Sequence, residues 1–285
     1  MGPALVAEGI GYDYDGTLAV DDVSFDLARG EVLGFLGPNG AGKSTTIKLL
    51  TGQLEPRSGR ISVLGMDMPR QRGEIQARIG VCFEEKNVYP SLTGRENLAF
   101  FARLFGLHDV DLDELLARVG LEERGRDRVN RYSKGMRQRL MVARTLLNEP
   151  DVLFLDEPTD GLDPVSARTI RQLIRAEADR GAAVLLTTHD MYEADQLSDR
   201  VAFIDRGKVL ALDPPEELKL AHGTRSVRVR VRTGEQIEEH VLPLDGDGGA
   251  AELQALVEAG NVLTIHTEEA TLEDVFVAFA GRGLT

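Results

Sequence analysis

Residues 37–45 form a complete phosphate-binding loop with the pattern G-x-x-x-x-G-K-[ST]. An apolar run at 32–36 precedes the loop and a helical stretch at 44–50 follows it, which argues against a chance glycine-rich turn. In a strand–loop–helix arrangement, backbone N–H groups can surround a polyphosphate, and the helix N-terminus adds a positive dipole end. Lys43 would reach the β- and γ-phosphates, and the Ser44 hydroxyl would bind Mg²⁺. The predicted nucleotide-binding residues are Gly37, Pro38, Asn39, Gly40, Ala41, Gly42, Lys43, Ser44 and Thr45.

A second chemical signal is the acidic pair Asp156-Glu157, which follows the apolar run at 152–155. A buried strand of this kind delivers its carboxylates at the edge of an open α/β sheet where ligands gather. Asp156 would hold Mg²⁺ through water, and Glu157 would orient or deprotonate the attacking water. A solvated acidic pair at a strand end is the alternative, and the phosphate-binding loop in the same chain makes it the weaker one.

The bulk properties restrict the class of protein. The chain has 285 residues, 42% hydrophobic residues, a formal net charge of −14 and one cysteine. The acidity argues against non-specific binding to nucleic acid, and no stretch approaches the length of a membrane span. The first residues carry neither a basic region nor an apolar core, so we expect no secretory signal. The single cysteine, Cys82, indicates a reducing compartment and is expected to be buried rather than reactive.

Strand and helix patterns alternate along most of the chain and predict an α/β fold. Residues 5–10 and 23–27 instead alternate like strands of a half-exposed antiparallel sheet. A helical pattern dominates between about 86 and 150, which predicts a helical insertion in the nucleotide-binding core. Further strand runs lie at 152–155, 183–186 and 201–204.

The C-terminal residues predict a small separate unit. Valines at 227, 229 and 231 alternate with arginines, which indicates a strand with one basic face. A second strand at 236–242, a helix at about 250–259 and a strand at 262–267 follow. A last helix starts at Thr271 with capping-box spacing, and its Phe276 and Phe279 are expected to be buried. The basic face is interpreted as a solvated sheet face, with docking to an acidic partner as the alternative.

With these motifs in order, the chain resembles an ATP-binding-cassette (ABC) ATPase over roughly residues 4–218. Tyr14 occupies the family's position for an aromatic that stacks on adenine, with Tyr12 as a weaker candidate. Residues 132–136 occupy the signature position, and residues 158–163 match the loop along the dimer seam. His189 matches the switch histidine that contacts the γ-phosphate.

The signature position also has a physical rationale. Ser133 can cap the following helix, and Gly135 keeps its N-terminus open, so that free N–H groups and the helix dipole can stabilise an anion. The family resemblance implies that this anion is the γ-phosphate of a nucleotide bound to the other subunit. A plain N-cap is the alternative function of Ser133.

Two motifs depart from the commonest family pattern. Lys134 and Met136 replace a glycine and the glutamine of the signature Leu-Ser-Gly-Gly-Gln, and Glu84 replaces the switch glutamine. Residues 79–85 and 132–136 resemble instead the exporter ATPases of the bacterial drug and sodium extrusion group. Because Glu84 keeps an oxygen that can bind Mg²⁺, the resemblance implies an active enzyme with Glu84 as a possible metal ligand.

The resemblance implies a phosphate-loop NTPase core of class α/β, with an N-terminal antiparallel β-subdomain, a helical insertion and a small α+β C-terminal domain. The predicted domains are 1–218 and 219–285. The implied function is ATP hydrolysis with Mg²⁺ in a head-to-tail dimer that powers an exporter, in the cytoplasm at the inner face of the membrane. The implied partner is an integral membrane permease, and no nucleic-acid partner is expected. The alternatives are a soluble ABC ATPase acting on nucleic acid or ribosomes, and a regulatory subunit that binds ATP without hydrolysis.

Overall fold

The computed structural model describes residues 2–83, 88–223, 226–234, 236–243, 247–268 and 270–281. The chain divides into two compact units, Met1–Leu212 and Asp213–Thr285. The domain boundary that the sequence suggests, at 218, falls inside a helix of the second unit, Pro215–His222. Within the described ranges, no helix is both long enough and apolar enough to cross a membrane.

The first unit contains two sheets and a helical segment. In chain order its elements are β1 (Leu5–Tyr14), β2 (Thr17–Leu27), β3 (Val32–Leu36), α1 (Lys43–Leu50), β4 (Ser58–Val63), β5 (Met66–Met68), α2 (Arg72–Gln76), β6 (Ile79–Cys82), α3 (Gly94–Leu104), α4 (Leu112–Arg118), a 3₁₀ helix (Val129–Arg131), α5 (Lys134–Thr145), β7 (Val152–Asp156), α6 (Pro164–Asp179), β8 (Ala183–Thr188), α7 (Met191–Leu197), β9 (Arg200–Asp205) and β10 (Lys208–Asp213).

The N-terminal sheet is antiparallel, with the strand order β2-β1-β4-β5. This confirms the antiparallel start expected from the alternating pattern, although β1 and β2 are longer than predicted. The register of β1 shifts between Ala7 and Ile10, where Gly9 has φ 58°. A glycine in this left-handed region marks a bulge, after which the strand resumes.

The core sheet has the strand order β10-β9-β3-β8-β7-β6, and its pairs β3/β8, β3/β9, β7/β8 and β6/β7 are parallel. Strands β3, β7 and β8 are buried along their whole length, as apolar runs in a sheet covered on both faces must be. Because β3, β7 and β8 are parallel, their carboxyl ends meet at one edge of the sheet. The loops that follow these ends carry the candidate site.

Helices α3, α4 and α5 form the helical segment between β6 and β7. Each begins at a side-chain cap: Thr93 with a capping box, Asp111 and Ser133. Their apolar faces pack with β7 and α6 in one buried cluster. Outside this cluster, Glu177 of α6 is 2% exposed and pairs with Arg118 of α4 and with Arg180, which directly follows α6. A buried carboxylate therefore ties α4 to the core.

The second unit contains α8 (Pro215–His222), β11 (Ser226–Thr233), β12 (Gln236–Pro243), α9 (Asp247–Glu258), β13 (Val262–Glu268) and α10 (Leu272–Ala280). The antiparallel sheet has the order β12-β11-β13. One face of β11 is buried through the three valines, and on the other face Glu239 pairs with Arg228 and Arg230. Thr271 and Asp274 form the capping box that starts α10. Phe276 is fully buried, whereas Phe279 is only half-buried and packs edge-on against His222.

Candidate active site

The phosphate-binding loop leaves the end of β3 and enters α1. Gly40 and Gly42 have φ 81° and 105°, a region that residues with a Cβ rarely occupy. A Cβ on Gly37 would lie 2.1 Å from the Ile204 carbonyl oxygen, and one on Gly42 would lie 2.4 Å from the Ala19 carbonyl oxygen. The glycines are therefore required for the backbone path, and they leave the main-chain N–H groups uncovered.

The start of α1 faces a small pocket. No side chain caps this helix, since Gly42 is its N-cap. The pocket has a volume of 160 Å³ and is lined by Ala19, residues 38–45 and Glu157. Uncapped N–H groups and the positive dipole end make such a pocket suited to phosphate. The predicted loop residues Pro38 to Thr45 thus line one pocket, whereas Gly37 is not part of its lining.

Lys43 and Glu157 meet at the floor of this pocket. The Lys43 ammonium donates a hydrogen bond of 2.6 Å to the Gly37 carbonyl oxygen and lies 3.1 Å from Glu157 Oε1. The two side chains are 6% and 12% exposed. Oε1 of Glu157 is buried and has no hydrogen bond of good geometry, so its interaction with Lys43 is an ion pair alone. An ammonium ion and a carboxylate that share a pocket with free N–H groups can bind phosphate and activate water.

Glu157 is held in a strained backbone conformation directly after β7. Its φ is 49°, and its N–H bonds both the carbonyl and the hydroxyl oxygen of Thr187 on β8. Residues other than glycine in this region cost about 1 kcal/mol or more and are concentrated at functional sites. The cross-strand bonds keep the carboxylate pointed at the loop.

Asp156 is the last residue of β7 and is 3% exposed. Its Oδ1 accepts a hydrogen bond of 2.5 Å from the Thr187 hydroxyl. The other carboxylate oxygen is free to take a further partner, and a hydroxyl and a carboxylate are hard-oxygen donors of the kind that Mg²⁺ prefers. Ser44 and Asp156 together supply such a donor set, which fits the predicted metal.

His189 follows β8 and contacts the carboxylate of Glu157. Its Nδ1 lies 3.0 Å from Glu157 Oε2, and its Nε2 lies 4.0 Å from Asp160 Oδ1. The ring is 48% exposed. Glu157 thus contacts both Lys43 and His189, although the three residues lie far apart in the sequence.

Ser133 and Tyr14, two of the predicted nucleotide contacts, do not line this pocket. Ser133 caps α5, where its hydroxyl accepts the Met136 N–H. Gly135 is needed there because a Cβ would lie 2.5 Å from the Ser166 hydroxyl oxygen. Tyr14 is 44% exposed and packs edge-on against Tyr12, with ring centroids 4.9 Å apart. The exposed ring of Tyr14 at the end of β1 is available for stacking. Glu84, a predicted metal ligand, lies outside the described residues.

A buried acid next to the site was not among the residues predicted from the sequence. Glu193 of α7 is 2% exposed and accepts hydrogen bonds from Thr159 and Thr188. Burial raises the pKa of its carboxyl group, against the opposing effect of the two hydroxyls. Thr159 belongs to a motif that the sequence analysis recognised, but no spacing rule connects it to an acid on a later helix.

Comparison with known proteins gives a consistent result. Residues 20–160 match the family model described as ABC transporter. The fluoroquinolones export ATP-binding protein of Mycobacterium tuberculosis is 47% identical over 268 residues, which cover 94% of this chain and 89% of that protein. The bacitracin transport ATP-binding protein of Bacillus licheniformis is 37% identical and covers 95% of each chain.

Solved structures show the same likeness. A component of an ABC transporter complex from Clostridium perfringens superposes with a TM-score of 0.71 at 30% identity, covering 78% of this chain and 92% of that one. The structure of an ATP-binding subunit of an ABC transporter gives a TM-score of 0.69 at 30% identity, covering 76% and 92%. The predicted α/β fold with an antiparallel N-terminal sheet is confirmed.

Proposed function

The chain belongs to the ABC transporter family, and from that premise we propose that it hydrolyses ATP to energise export through a separate membrane subunit. The observation that carries the proposal is the contact of Glu157 with both Lys43 and His189 beside the phosphate-binding loop. The reported relatives are named for drug export and antibiotic transport, which supports an exporter. Neither name concerns nucleic acid or ribosomes, so the alternative of a soluble ATPase acting on them gains no support.

In the proposed reaction, the phosphates of ATP replace Glu157 as the partner of Lys43. Oε1 of Glu157 then accepts a proton from water while the water oxygen bonds to the γ-phosphorus and the bond to the β-phosphate oxygen breaks. The products are ADP and inorganic phosphate. His189 would hold Glu157 through Nδ1 and present Nε2 to the γ-phosphate. Catalysis is then positioning plus neutralisation of charge by Lys43 and the loop N–H groups.

We propose that Ser44 and Asp156 hold Mg²⁺, with Glu84 as a further ligand. When bound there, Mg²⁺ would supply positive charge that neutralises the phosphate oxygens. The buried position of Asp156 supports this role because its free oxygen would otherwise lack a strong partner. Tyr14 is proposed to stack on the adenine ring, since its ring is exposed at the end of β1.

A second subunit completes the proposed site. Ser133 and Gly135 start α5 away from the pocket of their own chain, with an open helix N-terminus that suits a phosphate. Two chains meeting head to tail would sandwich each ATP between the loop of one and Ser133 of the other. ATP binding would then close the dimer, and hydrolysis would open it.

The membrane subunit is proposed to dock on an apolar groove, which we name the α3 groove. It has a volume of 720 Å³, and its apolar lining includes Ile79, Phe83, Phe101, Leu104, Phe105 and Leu107. Leu104 and Phe105 are 66% and 56% exposed. Contiguous exposed apolar surface of this kind marks a protein interface. We propose that a segment of the membrane subunit fills the groove, which would place this chain at the inner face of the membrane.

The proposal is tested with the full chain and a candidate membrane subunit. Both are reconstituted together, and ATP hydrolysis and co-purification are measured. Leu104→Asp and Phe105→Asp should keep hydrolysis by the free chain but abolish co-purification, whereas Leu220→Asp, at another exposed leucine, should do neither. If the purified wild-type chain does not hydrolyse ATP, the proposed activity is wrong. If the groove variants still co-purify, the docking surface is wrong.

A further inference from the structure

The buried acid Glu193 joins two loops of the proposed site. Its Oε1 accepts a 2.5 Å hydrogen bond from the Thr159 hydroxyl, and its Oε2 accepts a 3.0 Å bond from the Thr188 hydroxyl. Thr159 lies two residues after Glu157, and Thr188 directly precedes His189. Both carboxylate oxygens are thus engaged, one by the loop of the proposed base and one by the loop of the switch histidine.

The surroundings of Glu193 fix this link further. Thr188 also accepts a 3.0 Å bond from the Asp190 N–H, so the residues on both sides of His189 are constrained. Asp190 in turn caps α7 by accepting the Glu193 N–H at 3.1 Å. Thr188 and Glu193 are 1% and 2% exposed, so water cannot readily replace these bonds.

We infer that Glu193 is a positioning residue for ATP hydrolysis, which holds the loop 157–163 and His189 in the one arrangement that lets His189 contact Glu157. The inference rests on the proposed function. It adds a physical connection between the loop that would lie along the dimer seam and the histidine that would contact the γ-phosphate. A shift of either loop, as the second subunit docks, would be transmitted to the other through this carboxylate.

The proposed role separates turnover from nucleotide affinity. Neither Thr159, Thr188 nor Glu193 lines the phosphate pocket, which is formed by the loop after β3. Loss of the link should therefore leave ATP binding intact and misplace His189 and Glu157. Small misplacements of catalytic groups can cost up to about a hundredfold in rate.

The experiment uses the full chain with Glu193→Ala, Glu193→Gln and Thr159→Val. We expect Glu193→Ala to lower kcat by about tenfold or more, with the Kd for ATP changed by less than about threefold. Glutamine keeps the shape, with an oxygen that can accept one threonine hydroxyl and an amide that can donate to the other. Glu193→Gln should therefore stay within about threefold of the wild-type kcat. The double variant Glu193→Ala/Thr159→Val should be no slower than Glu193→Ala alone, because both changes remove the same link.

The matched control is Glu177→Ala, which removes a carboxylate that is equally buried but is paired with Arg118 and Arg180 away from the site. Its kcat per folded molecule should stay close to wild type. If Glu193→Ala proves insoluble, Thr159→Val, at a half-buried residue, reports on the same link. The inference is refuted if Glu193→Ala and Thr159→Val both keep the wild-type kcat, or if their effects on kcat add fully in the double variant. It is also refuted if Glu177→Ala slows turnover as much as Glu193→Ala does. The absence of hydrolysis by the wild-type chain would instead refute the proposed function.

Discussion

Replacing Glu157 with glutamine should lower the free energy of unfolding of the nucleotide-free protein. It should also increase the stabilisation that ATP provides and slow hydrolysis. Lys43 is 6% exposed, and in the part of the chain that the structure describes Glu157 is the only acidic residue that forms an ion pair with it. The substitution would remove this pair. Removing one partner of a buried pair typically costs about 3–5 kcal/mol. Lys43 keeps its bond to the Gly37 carbonyl and can also bond the glutamine oxygen, so we expect about 1–2 kcal/mol here.

This loss converts to a fall in Tm of about 2–8 °C for a unit of this size. Saturating ATP with Mg²⁺ supplies new negative charge to Lys43, so it should restore most of the loss. The rise in Tm on adding ATP should therefore exceed that of the wild type by about the same amount. Loss of a general base should lower kcat by about 10²–10⁴-fold, which corresponds to about 2.7–5.4 kcal/mol in the barrier.

The assay combines thermal unfolding with and without ATP, phosphate release, and size-exclusion chromatography, in which trapped ATP should hold the dimer closed. Glu177→Gln is the control, because it also perturbs a buried ion pair and should lower Tm without enlarging the ATP-induced rise. An ATP-induced rise equal to that of the wild type would show that phosphate does not replace Glu157 at Lys43. A kcat within about tenfold of the wild type would show that Glu157 is not the base.

Three further predictions concern other parts of the chain. Glu84→Gln should retain hydrolysis because an amide oxygen can still bind Mg²⁺. Glu84→Ala should raise the Mg²⁺ concentration needed for half-maximal activity. If alanine leaves the Mg²⁺ titration unchanged, Glu84 is not a metal ligand. A chain ended at Leu212, the last residue of the first unit, should bind ATP with nearly unchanged Kd but dimerise less in the Glu157→Gln background, and a folded truncate with weakened ATP binding would contradict this. Burial raises the pKa of the Cys82 thiol to about 12. At pH 8 this thiol should react with a disulfide reagent only after unfolding, and rapid modification of the folded chain would contradict its buried position.

Local patterns predicted much of the first unit. Strand β3 was predicted with the bounds that the structure shows, and β7, β8 and β9 were predicted to within about two residues. A short apolar run that ends at a glycine loop or an acidic pair is typical of a buried strand, and its ends can be read from the sequence. Strand β1 was predicted too short because Gly9 and Gly11 interrupt its alternation, whereas in the fold the register shifts allow pairing to continue to Tyr14.

The second unit shows where composition misleads. Helix α9 begins at Asp247, earlier than the predicted start at about 250. The glycines at 248 and 249 have low helix propensity, so the pattern placed the start after them. Phe279 was expected to be buried on the apolar face of α10, but it lies near the helix end and is half-buried.

The candidate site residues could be named from the sequence, but their mutual contacts could not be predicted. The motifs named Lys43, Glu157 and His189 separately, with Lys43 and His189 assigned to phosphates and Glu157 to the attacking water. The structure adds that Glu157 contacts both of the others, which depends on the order β3-β8-β7 in the sheet. Glu193 was missed because its function depends on two threonines from different strands and loops, a relation that no short motif encodes.

The α3 groove also has a consequence for how fast the chain is degraded in a cell. A subunit that displays Leu104 and Phe105 to water exposes the kind of surface that chaperones and proteases recognise. If the membrane subunit covers this surface, copies made in excess of it should be degraded faster than assembled ones. The amounts of the two polypeptides would then be matched by turnover rather than by equal synthesis, with the groove acting as the degradation signal of an orphan subunit.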